Sequence, residues 1–356
     1  MSSRIFTVEP RSCDDDPDTT DPFRIILTSL NLLGVFSLGP SSGGTIFRRC
    51  VIAYRSVATF YIHYVAFAHL YSLCSGVRGW TDIITSFIAC SSVFTLDSLS
   101  LRRERMECLL LSMRTCLAEG SVKARWAVLR KSRVCTVCIW TYLAAFIVNS
   151  ICSVTLSNPQ SSWDSYLLGA NASRVSERKA KAVALVATTL RLYLVDGPWF
   201  FVMALFVLSC WVLRASFRDL EEKVTEDMSA EDVSRLKERY CQLTAVVNEL
   251  DDNLSPSLFV WYVAVLVALC SRFSAIVTRT SHEVQIFWWL THLLGLLWTL
   301  AILFGVSVAA AAINEEPARI LAAVEASVFK TFAASCVARR GVLSSNRSGH
   351  REVCWR

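Results

Sequence analysis

The chain of 356 residues is 53% hydrophobic and 19% charged, and its mean hydropathy is +0.42. Soluble domains have about 45–50% apolar and about 25% charged residues, so the composition excludes an ordinary soluble enzyme. The formal net charge of +6 is explained by basic residues beside apolar segments, and it does not indicate nucleic-acid binding.

The N-terminal part precedes the long apolar segments. Residues 1–22 are rich in aspartate and predict a disordered acidic head. Residues 23–49 predict a short apolar helix and a linker that ends before the first span. About 20 apolar residues are needed to cross a bilayer core, so this helix is too short to span and is expected to be interfacial or re-entrant.

Six apolar stretches predict membrane-spanning helices, and the fold class is an all-α polytopic membrane protein. The spans are about 50–74, 80–98, 134–156, 182–212, 256–277 and 285–312. Together, residues 50–312 form a transmembrane bundle with a helical cytosolic loop at 213–255. Residues 313–356 predict a cytosolic amphipathic helix and a basic tail. That helix would begin at Asn314, because an Asn cap, early acids and Pro317 are typical of a helix start.

The loops predict the orientation of the bundle. Nine Lys and Arg residues fall in 99–133, six in 213–255 and seven after 312, whereas 157–181 holds four. The positive-inside rule therefore predicts a cytosolic N-terminus. The glycosylation sequon at Asn171 would then face outward, and the sequon at Asn253 would face inward.

The fourth span contains two charged residues, Arg191 and Asp196, and these predict a polar cavity within the bundle. A charge at the centre of an isolated helix costs roughly 2.5–3.5 kcal/mol on insertion scales. Because the two residues are five apart, an ideal α-helix would place them on different faces. Tyr193, Trp199 and Asp196 are candidate contacts for a hydroxyl-rich or amine ligand. The Gly197-Pro198 pair predicts a helix break. A structural ion pair, or snorkelling by Arg191, is the alternative.

Three further polar or aromatic residues are candidate ligand contacts. Trp288 and His292 lie in the outer half of the sixth span, where Trp is also typical of an interface anchor. Asn149 lies in the outer half of the third span and is equally suited to bond another helix.

A hydrophobic stripe runs through the cytosolic loop into the fifth span. Its members recur at spacings of 4, 3, 4 and 3 and resemble a coiled-coil seam: Leu236, Tyr240, Leu243, Val247 and Leu250. The stripe predicts packing, either within an internal stem helix or between subunits. The sequence contains no motif for catalysis, a metal or a cofactor.

The same stripe carries a resemblance to a family. With the residues that follow it, the segment Leu236…Leu250-Asp251-Asp252…Ser255…Leu258-Phe259 is similar to the approach to the fifth span of arthropod gustatory receptors. Leu33-Gly34-Val35-Phe36 resembles a short element found before their first span. The resemblance covers roughly residues 23–330 and implies a chemosensory receptor of the plasma membrane that is a non-selective, ligand-gated cation channel. It also implies a homo- or hetero-tetramer that binds a small-molecule tastant.

The sequence departs from this family at its end. The resemblance implies a seventh, pore-lining span with a Thr-Tyr…Gln-Phe sequence, and neither occurs in the 356 residues. The chain is therefore expected to lack the last span and not to conduct ions alone. A G-protein-coupled receptor and a secondary transporter are the alternatives. The loop charges oppose a G-protein-coupled receptor, because they place the N-terminus in the cytosol. A secondary transporter would be expected to contain internal repeats.

Overall fold

Nine helices make up the part of the chain that the structure, a computed structural model, describes: residues 21–34, 45–75, 80–156, 177–224, 229–278 and 286–349. We number them α1 (Pro22–Leu32), α2 (Thr45–Ser75), α3 (Trp80–Leu101), α4 (Arg103–Ala118), α5 (Val122–Leu156), α6 (Glu177–Arg191), α7 (Gly197–Glu222), α8 (Ala230–Thr278) and α9 (Ile286–Gly349). A π-helical turn, Leu192–Asp196, joins α6 to α7.

Five of these segments are long and apolar enough to cross a membrane: Arg49–Tyr71, Val122–Cys152, Lys181–Glu222, Glu231–Ser274 and His292–Ile320. The predicted span at 80–98 lies in α3, whose apolar stretch Ser86–Leu101 is shorter. The all-α polytopic membrane fold is confirmed. The predicted helix start at Asn314 is wrong, because α9 runs through Pro317 without interruption.

Helix α7 forms the centre of the bundle. In the span Lys181–Glu222, which contains α7, 78% of an apolar stretch of 18 residues is buried within the chain. The equivalent share in the other four spans is 17–28%. Phe201, Leu213 and Phe217 are fully buried. Helices α1, α4, α5, α8 and α9 all pack on α7, so the positions of the other helices follow from its burial. A smaller cluster, which includes Val65 and Val195, joins α2 to the π turn.

The two ends of the bundle differ in charge. At one end of the bundle, α4 contacts the start of α5, the end of α7 and the start of α8. We call this the basic end, because the Lys- and Arg-rich segments 99–133 and 213–255 lie there. Arg102 donates to the carbonyl of Asp252, and Arg239 forms an ion pair with Glu119. At about 1.5 Å per residue, the 49 residues of α8 are far longer than a bilayer core, so α8 extends beyond the membrane.

Helix α1 lies inside the bundle, against α5 and α7. Its apolar face, which includes Phe23, Ile26 and Leu30, is fully buried. At its first end, the Asp21 carboxylate caps the helix by accepting from the Phe23 amide at 3.0 Å and pairs with Arg114 at 2.6 Å. The helix therefore enters the bundle from the basic end.

The other end of α1 terminates within the bundle, beside the π turn. The carbonyl of Leu32 accepts hydrogen bonds from the hydroxyls of Tyr54 at 2.8 Å and Tyr193 at 3.4 Å. Gly34 follows with φ +81°, and a Cβ there would lie 2.8 Å from the Cβ of Ala58. The last carbonyls of a helix have no partner within it, so the two tyrosines replace water as donors to this carbonyl.

We expect the double variant Y54F/Y193F to be less stable than the parent. Both changes keep the ring and remove only the hydroxyl. Leu32 is 56% exposed, so we expect a loss of about 1 kcal/mol, the net value of a typical hydrogen bond. The measurement is the apparent melting temperature of the purified protein in detergent. Tyr71→Phe is the matched control, because Tyr71 is 46% exposed. An equal melting temperature for the double variant and the control would contradict a stabilising role for the hydrogen bonds from Tyr54 and Tyr193 to Leu32.

Candidate ligand site

A cavity of about 110 Å³ lies between the helices in the half of the bundle away from the basic end. Helices α3, α5, α6, α7, α8 and α9 and the π turn contribute to its wall. The lining includes three charged groups and six aromatic rings: Arg191, Asp196, Arg272, Tyr142, Phe146, Trp199, Phe200, Trp261 and Trp298.

The charged groups meet at one part of the wall. Arg191 and Arg272 both act electrostatically on the carboxylate of Asp196. Asp196 is surrounded by protein yet keeps part of its surface accessible, because it lines the cavity. Two guanidinium groups and one carboxylate leave this part of the wall with a net positive charge.

The π turn explains why Arg191 and Asp196 line the same cavity. The expectation that they lie on different faces holds for an α-helix and is wrong here. A π turn bonds residue i to i+5, so residues five apart lie about one turn apart and share a face. The Gly197-Pro198 pair does not interrupt the helical segment, because α7 begins at Gly197 directly after the π turn.

Arg272 depends on a glycine of the facing helix. The guanidinium of Arg272 occupies the place that a Cβ on Gly295 of α9 would take. Gly305, ten residues further along the same helix, has nothing within 4 Å of the equivalent position. The absence of a side chain at Gly295 therefore allows Arg272 to reach the cavity.

Aromatic rings form the rest of the wall. Tyr142 and Trp298 stack with centroids 4.2 Å apart and planes 6° apart. Phe200 meets both rings edge-on, at 5.5 Å from Tyr142 and 5.8 Å from Trp298. Trp199 and Trp261 lie 5.8 Å apart on the neighbouring helices. These contacts connect α5, α7 and α9 on that side of the cavity.

The other candidates predicted from sequence lie elsewhere. Tyr193 points to α1, where it donates to Leu32. Asn149 is buried and His292 is half-buried, and neither lines the cavity. The side chain of Trp288 and all of Asn171 lie outside the described residues.

Sequence analysis identified Arg191, Asp196 and Trp199 of the wall, and it missed Arg272 and the other aromatic residues. Arg272 carries the same signal that identified Arg191, a charge inside a predicted span, but its position near the span end favoured a loop assignment. Trp261 lies near the start of the predicted span 256–277, and Trp298 lies near the middle of the predicted span 285–312, where interface anchoring does not explain a Trp.

The stripe on α8 packs inside the chain. Leu236, Leu243 and Leu250 are buried in the main core, and Tyr240 and Val247 pack against that core. Phe217 of α7 meets Tyr240 with ring centroids 6.3 Å apart. The contacts of the stripe are thus those of an internal stem.

The fold and the cavity together define a multi-span helical receptor with a small polar site between its membrane helices. A family model described as "Trehalose receptor" matches residues 23–333, and the chain belongs to this family of insect gustatory receptors. The resemblance seen in the sequence is confirmed. The chain is a chemosensory receptor, and membership excludes the enzyme, transporter and G-protein-coupled alternatives.

Solved structures of insect olfactory receptors share the fold. The chain is similar to the olfactory receptor OR5 from Machilis hrabei, with a TM-score of 0.66 and 10% identity over 87% of this chain and 88% of that one. The complex of the same receptor with eugenol gives a TM-score of 0.67 and 12% identity over 89% and 90%. A comparison with curated protein sequences finds no significant match.

We expect a cysteine at position 196 to react with a small water-soluble thiol reagent, because this position lines the cavity. The reagent is the anionic sulfonatoethyl methanethiosulfonate, which the two arginines attract. The background replaces with serine the six exposed native cysteines and the three whose side chains lie outside the described residues: Cys50, Cys74, Cys108, Cys138, Cys241, Cys270, Cys13, Cys336 and Cys354. Labelling is measured as a mass shift of the intact chain.

The neighbouring variant Val195→Cys is the matched control. Val195 is 1% exposed and packs in the α2–π turn cluster, so its thiol is expected to remain unlabelled. Equal labelling at positions 195 and 196, or none at 196, would contradict a cavity that reagents can enter.

Proposed function

We propose that this chain is a subunit of a tastant-gated, non-selective cation channel of the plasma membrane, and that the cavity at Asp196 binds the tastant. The observation that carries the proposal is the meeting of one carboxylate and two guanidinium groups with aromatic rings between membrane helices. Charged residues at membrane depth are costly and typically mark ligand or ion sites. Small-molecule sites of this kind form between the helices of bundles.

The chemistry of the wall favours a neutral, hydroxyl-rich ligand. Arg191 and Arg272 outweigh Asp196, so an ammonium group would meet a net positive wall. Hydroxyl groups, in contrast, can donate to the carboxylate and accept from the guanidiniums. The faces of Tyr142 and Trp298 suit the C–H face of a sugar ring. The description of the family as trehalose receptors supports this ligand class.

The volume sets the size of the bound group. An apolar cavity of about 150 Å³ holds one benzene molecule, so a volume of 110 Å³ is smaller than a whole sugar ring requires. A sugar ring would therefore need the wall to open before it could pack against the aromatic side chains.

Assembly into a tetramer is supported by apolar surface that the chain leaves uncovered. Only 17% of the apolar 18-residue stretch of α9 is buried within the chain. Leu297, Leu300 and Phe304 of this helix are 46–74% exposed. Lipid covers part of such a surface, and neighbouring subunits would cover the part that faces the channel axis.

We further propose that the N-terminus and the basic end are cytosolic. The loop charges support this orientation, since Lys and Arg residues concentrate at the basic end and such residues favour the cytosolic side. The loop 157–181, with its sequon at Asn171, would then be extracellular.

Glycosylation tests the orientation. We expect a glycosidase-sensitive mass shift of the expressed chain to disappear in Asn171→Gln and to remain in Asn253→Gln. Asn253 is 2% exposed within α8, and its side chain donates to the carbonyl of Glu249 at 2.9 Å, so it cannot accept a glycan in the folded chain. A shift that disappears only with the change at Asn253 would reverse the orientation.

Substitution of Gly295 tests the cavity as the ligand site. In Gly295→Ala the new methyl group displaces the Arg272 guanidinium, and we expect the affinity for trehalose or glucose to fall at least about tenfold, the equivalent of one charge-assisted hydrogen bond. Binding is measured by quenching of Trp fluorescence on the purified chain, because three of the cavity rings are indoles. This readout does not require ion conduction.

Gly305→Ala is the matched control, since the same change on the same helix meets open space. Its affinity should equal that of the parent. Equal affinities in all three proteins would contradict the assignment of the ligand to this cavity, and binding of small amines in preference to sugars would overturn the ligand class.

A further inference from the structure

A second cavity lies at the basic end, between the first turns of α5 and the last turns of α7. Its volume is about 280 Å³. The polar side chains that line it come from both helices: Ser121, Lys123, Lys131, Arg214, Arg218, Asp219 and Glu222. It shares no residue with the candidate ligand site, so the receptor function proposed above does not use it.

The acidic groups around this second cavity are largely compensated. Asp219 accepts an ion pair from Lys223 at 2.7 Å and a hydrogen bond from the Ser121 amide at 3.2 Å. Neither Lys123 nor Lys131 forms an ion pair among the described residues, and both are exposed. The cavity therefore presents an excess of positive charge.

A buried carboxylate on α9 holds the two arginines in place. Glu316 is 1% exposed, and its Oε1 lies 2.9 Å from Nε of Arg214 and 3.5 Å from Nε of Arg218. A guanidinium has five N–H donors, so a bond through Nε leaves the terminal nitrogens able to bind a second anion. The arginines are thus pre-positioned at the cavity wall.

The cavity begins at the membrane boundary. The Nζ of Lys131 lies 5.1 Å from the ring centroid of Trp211, and Trp is typical of the headgroup level. The apolar part of α5 starts after Arg133, two residues beyond Lys131, and that of α7 ends just before Arg214. Lys123 lies eight residues before Lys131, which is about 12 Å along the helix axis. Cations therefore occur at two depths.

We propose that this cavity binds the phosphorylated headgroup of an inositol phospholipid of the cytosolic leaflet. The phosphodiester lies near Lys131 and Arg214 at the boundary, and the ring phosphates reach Lys123 and Arg218 beyond it. Basic pockets between membrane helices on the cytosolic side suit such headgroups. The proposal rests on the cytosolic orientation of the basic end that is proposed above.

The test compares the retention of lipids by the full purified chain in native mass spectrometry. The probes are dioleoyl phosphatidylinositol 4,5-bisphosphate and dioleoyl phosphatidylserine. We expect the parent to retain one phosphoinositide and to discriminate against phosphatidylserine. In K123Q/K131Q the affinity should fall about thirtyfold, since each basic residue near a membrane surface contributes about a factor of five. These lysines do not contact Glu316, so the arginine cluster remains.

The matched control is K179Q/K237Q, which removes the same charge from two exposed lysines outside the cavity. It should bind like the parent, and equal melting temperatures will show that all the variants fold. Equal retention by K123Q/K131Q and the control, or equal retention of phosphatidylserine, would overturn the proposal.

Soluble inositol 1,4,5-trisphosphate separates the two sources of the same headgroup. If the lipid is the ligand, the soluble compound should displace it only at about tenfold or greater excess, because it lacks the acyl chains. Displacement at equal concentration would overturn the lipid assignment in favour of the free polyphosphate. None of these measurements uses a tastant, so failure here is distinct from failure of the sugar-binding test.

Discussion

A helix that ends inside a membrane bundle leaves carbonyl groups without water to bond them, and this constraint organises the site. Helix α1 ends at such a point, and the hydroxyls of Tyr54 and Tyr193 bond the carbonyl of Leu32. The hydrogen bond from Tyr193 to Leu32 directs this side chain to the α1 side of the π turn. Asp196 is thereby left on the other side, where it lines the cavity.

The cavity then depends on contributions from helices that are far apart in sequence. Arg191 lies at the end of α6, Asp196 ends the π turn, and Arg272 lies on α8; Gly295 of α9 provides the space for the Arg272 guanidinium. Among the spans of the described residues, the span that contains α7 is the most buried, so α7 fixes the distances between these helices. The candidate ligand site and the second cavity thus lie near opposite ends of α7, and Glu316 of α9 pairs with Arg214 of α7 near the second cavity.

The sequence predicted the fold from hydropathy, because long apolar runs have few alternatives to a membrane helix. It also identified Arg191 and Asp196, since charges in an apolar run are visible without a structure. The shared face of these two residues could not be predicted, because a π turn has no local sequence pattern. Arg272 depends on the facing Gly295, a contact between distant segments. The helix start at Asn314 was wrong because the buried carboxylate of Glu316 pairs with Arg214 and Arg218 of α7, which favours a continuous helix over a cap.

The π turn also sets a rotational phase between the two halves of the fourth span. A π turn holds one residue more than an α turn, and each residue of an α-helix rotates the chain by about 100°. Deleting a single residue between Leu192 and Asp196 would restore a regular helix and turn the whole of α6 away from its present neighbours. The hydropathy profile and the number of spans would hardly change. A relative that differs by this one deletion would keep the architecture and lose the alignment of Arg191 with the cavity.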